Sequence, residues 1–232
     1  MPGPHPIGIL GGMGPAATIL LQSKVMDAVP ARHDSDHVPL LIDMNPQVPS
    51  RIAHLIDGAG ENPGPTLAAM AVRLQQLGCA ALAMPCNTAH HYADAIAGAV
   101  DIPFLNMIDL AANHALRTIG KGGRIGMLAS PAVQKIELFE RAFGAKGLSV
   151  HWPNRDDAML TAIRSIKSEG PTARARGALL EASTVLEAAG MDLQFIACSE
   201  FSLIADNVAP LANVVDTVDL LAQEIAGFFT IK

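Results

Sequence analysis

Two cysteines are the residues of this chain best placed to do chemistry. Cys86 sits in Met84-Pro85-Cys86-Asn87-Thr88-Ala89-His90-His91, directly behind the apolar run 80–84. Cys198 sits in Ala197-Cys198-Ser199-Glu200, directly behind the apolar run 193–197. Such short apolar runs read as buried strands, and the alanine-rich residues 88–100 read as a helix capped by Asn87 or Thr88. Each thiol is therefore expected where a strand gives way to a helix, the edge at which parallel α/β sheets bind ligands. A helix N-terminus at that point favours thiolate over thiol. One cysteine alone in such a place reads first as a small packed hydrophobe, and Cys79, which opens the strand before Cys86, is assigned to the core.

The pair gains its meaning from a repeat. Ile7 to Pro15 and Arg124 to Pro131 both read as strand, turn, proline and helix, and Phe104 to Asp109 is echoed by Asn213 to Asp219. The offsets are similar throughout: 118 from Gly8 to Gly126, 112 from Cys86 to Cys198 and 110 from Asp109 to Asp219. Self-similarity at a near-constant offset signals duplicated structure. Strands alternating with helices predict parallel sheets. The expected fold is thus α/β, with two pseudo-symmetric lobes, each a parallel four-stranded sheet flanked by helices, and an active-site cleft between them. The first lobe is expected over 1–100 with 212–232, the second over 101–211.

Two equivalent thiols across a cleft suit the movement of a proton through a carbon centre. One thiolate removes the proton from one face and the other thiol delivers one to the opposite face, inverting the carbon. Each sulfur must come within ~3.5 Å of that carbon, which sets the pair on the order of 7 Å apart, too far for a disulfide. The carbanion also needs its neighbouring carboxylate held by N–H and hydroxyl donors; Asn87, Thr88, Ser130 and Ser199 are of the right type.

Bulk properties narrow the setting. The 232 residues are 50% hydrophobic and 16% charged, which suits a compact fold with a sizeable core. A net charge of −6 without a lysine or arginine cluster argues against nucleic acid or an anionic membrane as partner. The first six residues lack the features of a secretory leader, and no uncharged stretch is long enough to span a membrane. Three cysteines without a Cys-x-x-Cys motif point away from a disulfide framework or a zinc site and towards a reducing cytoplasm.

The segments Gly11-Gly12-Met13-Gly14-Pro15, Asn45-Pro46-Gln47, Met84 to His90 and Cys198-Ser199-Glu200 resemble, in register over nearly the whole chain, the aspartate/glutamate racemase family, and its aspartate racemases most closely. The resemblance implies a cofactor-independent two-base racemase of an acidic amino acid, usually a homodimer. It implies Cys86 and Cys198 as the bases, and Asn87, Thr88, Ser130 and Ser199 as holders of the α-carboxylate and amino group. Arg51 and Lys167 would grip the side-chain carboxylate, and Met13 joins the substrate-binding set from its loop. Glu200 is expected behind Cys198 or as a helix cap. The chain departs from the family pattern at Ala197, at Ser130 and Ser199 in place of threonine, and at Ser50 where many relatives carry aspartate; these changes bear on the choice of substrate.

Other readings stay open on the sequence. Gly12, Gly14 and Ala17 fit the loose dinucleotide pattern, with Asp34 or Asp36 as the acidic partner, although a carboxylate-binding loop explains the same glycines. A hydantoin racemase or maleate isomerase would use the same two thiols, and a non-catalytic amino-acid-binding protein would keep the cleft. On position alone Arg51 reads equally as a carboxylate clamp just past a strand end or as a solvated arginine, and Lys167 by default is a lysine favoured by a helix C-terminus. His90 and His91 point in different directions on a helix, so no metal site is expected.

Overall fold

The computed structural model describes residues 5–230. Residues 1–4, part of the segment inspected above for a leader, lie outside the described residues. The chain divides into two compact units: one runs up to Met107 and resumes at Val218, and the other is Ile108–Thr217.

The first unit is built on β1 (Ile7–Gly11), β2 (Leu40–Met44), β3 (Ala81–Ala83) and β4 (Phe104–Leu105), all parallel, in the order β2-β1-β3-β4. Its helices are α1 (Pro15–Ala28), α2 (Arg51–Leu55), α3 (Gly64–Gln76) and α4 (Ala93–Ala97). The second unit holds α5 (Met107–Ile119) from its second residue on, then β5 (Arg124–Ala129), α6 (Pro131–Lys135), α7 (Leu138–Gly144) and β6 (Ser149–His151). It continues with α8 (Asp156–Glu169), α9 (Ala173–Ala188), β7 (Leu193–Ala197) and β8 (Val214–Asp216), its sheet running β6-β5-β7-β8, again parallel. The last helix, α10 (Thr217–Thr230), returns to the first unit, where Lys24 of α1 forms an ion pair with Asp219.

Both sheets have one strand order, and their central strands are buried on both faces, as parallel sheets require. The duplication extends into the packing. A side chain at Gly8 would run into Leu82, Cys79 and Leu74, and one at Gly126 into Leu186 and Met191. Leu186 follows Leu74, and Met191 follows Cys79, by the same 112 positions that separate Cys86 from Cys198. In each unit a helix lies directly on a glycine of the central strand. Beside that glycine stands a cysteine in one unit and a methionine in the other, so Cys79 is a core residue; burial pushes its thiol up.

The structure interrupts two helical stretches, shortens one strand and moves both unit boundaries from those expected. Residues 88–100 form a 3-10 turn over Thr88–Tyr92 and then the single turn of α4, not one helix. Residues 132–144 break at Glu137, whose φ of 51° is left-handed, and the break is held by Arg141 Nη2 donating to the Ile136 carbonyl at 2.8 Å. β4 holds two residues, preceded by Pro103, which lends a carbonyl to Leu82 but has no N–H to give. Because β4 pairs with β3 and β8 with β7, residues 101–107 lie in the first unit and 212–217 in the second, so the crossings fall later than the expected 100 and 211.

The glycine loop after β1 is shaped by packing. Gly12 has φ of 94°, and a Cβ there would lie 2.3 Å from the backbone carbon of Asn45. Its N–H donates to Thr18 Oγ1 at 3.0 Å, and that hydroxyl donates to the Gly14 carbonyl at 3.0 Å. The Gly12 amide is thereby used inside the loop, which corrects its reading as a donor to a bound anion. The acidic residue wanted by a dinucleotide is used locally too: Asp36 accepts the N–H groups of Arg32 and His33 at 2.8 and 2.9 Å, and those bonds hold its carboxyl below the usual range.

Gly12→Ala is expected to cost at least about 2 kcal/mol, because it adds a backbone clash to a left-handed φ. Gly58 also has a positive φ, of 67°, but with open space around it. Gly58→Ala should cost only about 1 kcal/mol, the left-handed penalty alone. Urea midpoints of the two variants check the difference.

Candidate active site

Each unit places one cysteine at the carboxyl end of the strand that follows its central helix. The backbone there is pinned the same way twice: the Cys86 carbonyl accepts the N–H of Ala89 at 3.1 Å, and the Cys198 carbonyl accepts that of Phe201 at 2.8 Å. Both bonds close 3-10 turns, Thr88–Tyr92 and Phe201–Ile204. Neither thiol is in a disulfide, and both are buried, 8% exposed at Cys86 and 6% at Cys198.

The fourth residue after each cysteine ties its turn to the end of the fourth strand. In the first unit this is His90, whose Nδ1 meets the Cys86 carbonyl at 2.9 Å while Nε2 accepts the N–H of Met107 at 3.0 Å. A carbonyl accepts only, so Nδ1 carries the proton and the ring is neutral. Burial presses its pKa down to about 4, with the bond to Cys86 opposing. In the second unit the equivalent residue is Ser202, donating to Asp216 Oδ1 at 2.8 Å, and Thr217 next to it donates to the Ile196 carbonyl at 3.0 Å. Both ties end at the residues where the chain passes from one unit to the other.

Around Cys86 the first unit gathers Met13, Val48, Met84 and Tyr92 in one apolar cluster. Met13, expected in the substrate-binding set from its loop, is 4% exposed and packs in the cluster that also holds Cys86. Asn87 is buried and Thr88 half-buried at the start of the turn. Arg51 opens α2, and its Nη1 donates to the carbonyls of Val48 and Pro49 at 3.1 and 2.8 Å, which binds the guanidinium to the wall of that cluster. Ser50 caps α2 by accepting the N–H of Ala53 at 3.2 Å. Aspartate makes the same cap, so the departure at position 50 leaves the arginine's mount intact.

In the second unit, Ser130 ends β5 and caps α6, accepting the Ala132 N–H at 3.3 Å, and Ser199 is buried beside Cys198. Cys198 donates its thiol hydrogen to Glu200 Oε2 at 3.1 Å, and Lys167 Nζ lies 3.4 Å from Glu200 Oε1. Burial pushes the Cys198 thiol well up; the charge and hydrogen bond of Glu200 push the same way, and Lys167 draws it back. This corrects the expectation that a helix N-terminus would favour thiolate here. The turn after Cys198 has four residues, too few to offset burial beside a carboxylate.

Two residues escaped the sequence reading. His90 was assigned to a helix or interface, and its partners could have been suspected only from its position four after the thiol. Tyr92 is buried, and its Oη has no hydrogen-bond partner among the described residues; burial raises its phenol and Arg51 lowers it. Among the described residues no three His, Cys, Asp or Glu side chains gather as metal ligands, and no helix is long and apolar enough to cross a membrane.

The family described as Asp/Glu/Hydantoin racemase matches residues 10–225. The chain belongs to that family. As a member it is an enzyme, an amino-acid racemase of the kind that works without pyridoxal phosphate. The racemase is 25% identical to the broad specificity amino-acid racemase RacX of Bacillus subtilis, over 96% of this chain and 97% of the relative. In structure it resembles an aspartate racemase of Picrophilus torridus, with TM-score 0.86 and 24% identity, covering 97% of this chain and 94% of that one. A glutamate racemase isoform of Bacillus anthracis gives TM-score 0.71 at 16% identity, over 98% and 82% of the two chains. These structures have the same α/β fold as the racemase.

The neutral His90 makes stability pH-dependent. Its pKa of about 4 in the fold lies below the ordinary ~6.5. Between those values the unfolded chain takes a proton that the folded chain refuses. The stability present above pH ~6.5 is therefore lost as pH falls towards 4, by on the order of 3 kcal/mol. Urea midpoints followed from pH 7 to 4.5 should fall more steeply in the wild type than in His90→Gln.

Proposed function

We propose that the protein racemises an acidic amino acid, aspartate before glutamate, by two-base proton transfer between Cys86 and Cys198. The observation that carries this reading is the equivalence of the two thiols. Each stands at the carboxyl end of the third-formed strand of a sheet with the same strand order, each carbonyl accepts the N–H three residues on, and 112 residues separate them. A thiol repeated at the same point of a duplicated fold suits a reaction whose two half-steps are mirror images. The two sulfurs then address opposite faces of one α-carbon.

Further residues take roles from their chemistry. The side chains of Asn87, Thr88, Ser130 and Ser199, next to the thiols or at the end of β5, supply the donors that a developing carbanion's carboxylate needs. Arg51, already held by two backbone carbonyls, is oriented to offer its remaining guanidinium edge to a side-chain carboxylate in a bidentate pair. Lys167 adds a second positive charge for that carboxylate. Met13 lines the site from the core side. The broad specificity named for the Bacillus subtilis relative extends the substrates to test beyond the two acidic amino acids. A reducing cytoplasm would keep both thiols free, and a homodimer is the assembly that light scattering should report.

Incubating L-aspartate with the protein in D₂O without cofactor should give both racemisation and exchange of the α-proton. Cys86→Ala and Cys198→Ala should each lower racemisation about a thousandfold, while exchange from one enantiomer survives at the remaining thiol. Racemisation at the wild-type rate by either variant would reject the two-base assignment. Arg51→Ala should raise KM for dicarboxylic substrates about tenfold or more and leave neutral amino acids nearly unchanged, as a substrate panel assayed by chiral chromatography would show.

A further inference from the structure

The two thiols have different neighbours. Two residues after Cys86 the chain carries Thr88; two residues after Cys198 it carries Glu200. The Glu200 side chain is only 11% exposed, and it stands between the Cys198 sulfur at 3.1 Å and Lys167 Nζ at 3.4 Å. The order is thiol, carboxylate, ammonium.

We propose that Glu200 is the proton partner of Cys198 and Lys167 its counterion, so that the two bases of the racemase reach their reactive states by different routes. The step is a proton transfer alone. The S–H bond of Cys198 breaks, the electron pair stays on sulfur as thiolate, and the proton passes along the existing hydrogen bond to Glu200 Oε2, giving a carboxylic acid. The thiolate then takes the α-proton of the substrate and is a thiol again. Run in the other direction, from the state in which Glu200 is the carboxylic acid, Cys198 gives its hydrogen to the carbanion and recovers one from Glu200, which returns to carboxylate. Glu200 touches no reacting carbon, so it is a positioning residue that acts through the sulfur. The inference rests on Cys198 being one of the two bases.

The surroundings leave these two charges to govern the sulfur. The cluster that holds Cys198 is formed by Leu128 of β5, Met159, Ile163 and Ile166 of α8, Leu179 and Leu186 of α9, and Phe201 of the turn, all apolar. From α8 the charged group that acts on the thiol is Lys167; from its own loop it is Glu200. Their effects are opposed. The carboxylate disfavours a second negative charge 3.1 Å away, and the ammonium relieves that cost. While Glu200 is ionised, Cys198 rests as a thiol; it becomes a base when the proton moves across, and it acts as donor from the state in which Glu200 holds the proton that restores it.

The signs of the two charges supply the test. The protein is labelled with [13Cβ]cysteine, with the resonances assigned through Cys79→Ser and Cys86→Ser, and the Cys198 signal is followed from thiol to thiolate as pH rises. In Glu200→Gln, which keeps the shape and loses the charge, the Cys198 transition should move down by roughly a pH unit or more. In Lys167→Gln it should move up, and in Glu200→Asp it should stay near the wild-type position. The Cys86 signal should hold still in all three. In Glu200→Gln, kcat should fall about a hundredfold with KM little changed, and kcat/KM should fall equally for both enantiomers, because the equilibrium constant of a racemisation is one. An unchanged Cys198 transition in Glu200→Gln, or shifts of the same sign in the Glu200→Gln and Lys167→Gln variants, would overturn the proposal. The titration is read without turnover, so it stands apart from Cys198→Ala: activity surviving in that variant refutes the two-base reading, whereas a dead variant with an unmoved titration refutes only the role of Glu200.

Discussion

A parallel strand delivers its chain to the carboxyl edge of the sheet with no partner waiting to turn it back, and the turn has to be made by the residues found there. In this protein the turn is made at a cysteine, twice. One backbone bond, from the N–H three residues on to the cysteine carbonyl, fixes both turns. With the carbonyl so occupied, the backbone of each cysteine has little freedom, and its sulfur inherits that order. Burial excludes water from the thiol while the residues following it supply hydrogen-bonding groups. The sheets, the helices on the central glycines and the ties from His90 and Ser202 keep these two turns in place.

Much of this was legible in the sequence because the signals were local and doubled. Ile7 to Gly11 and Leu193 to Ala197 are apolar without interruption, as strands covered on both faces must be. Thr172, Gly120 and Gly190 mark helix boundaries by the usual chemistry of caps. The repeat offset identified Cys198 as the counterpart of Cys86 before any coordinate. The parts that were not legible depend on partners distant in sequence. The requirement at Gly12 comes from the backbone of Asn45, and the position of Lys167 matters through Glu200, 33 residues later. The helix expected after Cys86 breaks into a 3-10 turn and a single α-turn although its composition suits a helix; alanine content reports propensity and says nothing of where the turn must tie.

The two units also show what a duplication keeps and what it lets go. Strand order, the glycine under the helix and the cysteine are all retained, the glycine at an offset of 118 and the cysteine at 112. The fourth residue after the cysteine has diverged from histidine to serine, yet both reach the end of the fourth strand. The residue two after the cysteine has diverged in charge, threonine in one half and glutamate in the other. Retained positions are those whose contacts are mutual and tightly packed, where a change in volume is felt at once. The freer ones are polar groups that can satisfy one partner by several chemistries.

The first unit is completed by α10, a helix supplied from beyond the whole second unit and tied to α1 through Lys24 and Asp219. During synthesis, Ile108–Thr217 is made before that helix appears. The unit begun first is thus the unit completed last. Neither crossing can be cut to release a self-sufficient amino-terminal fragment. Any evolutionary path from a single ancestral half must have traded closing helices when the two copies were joined.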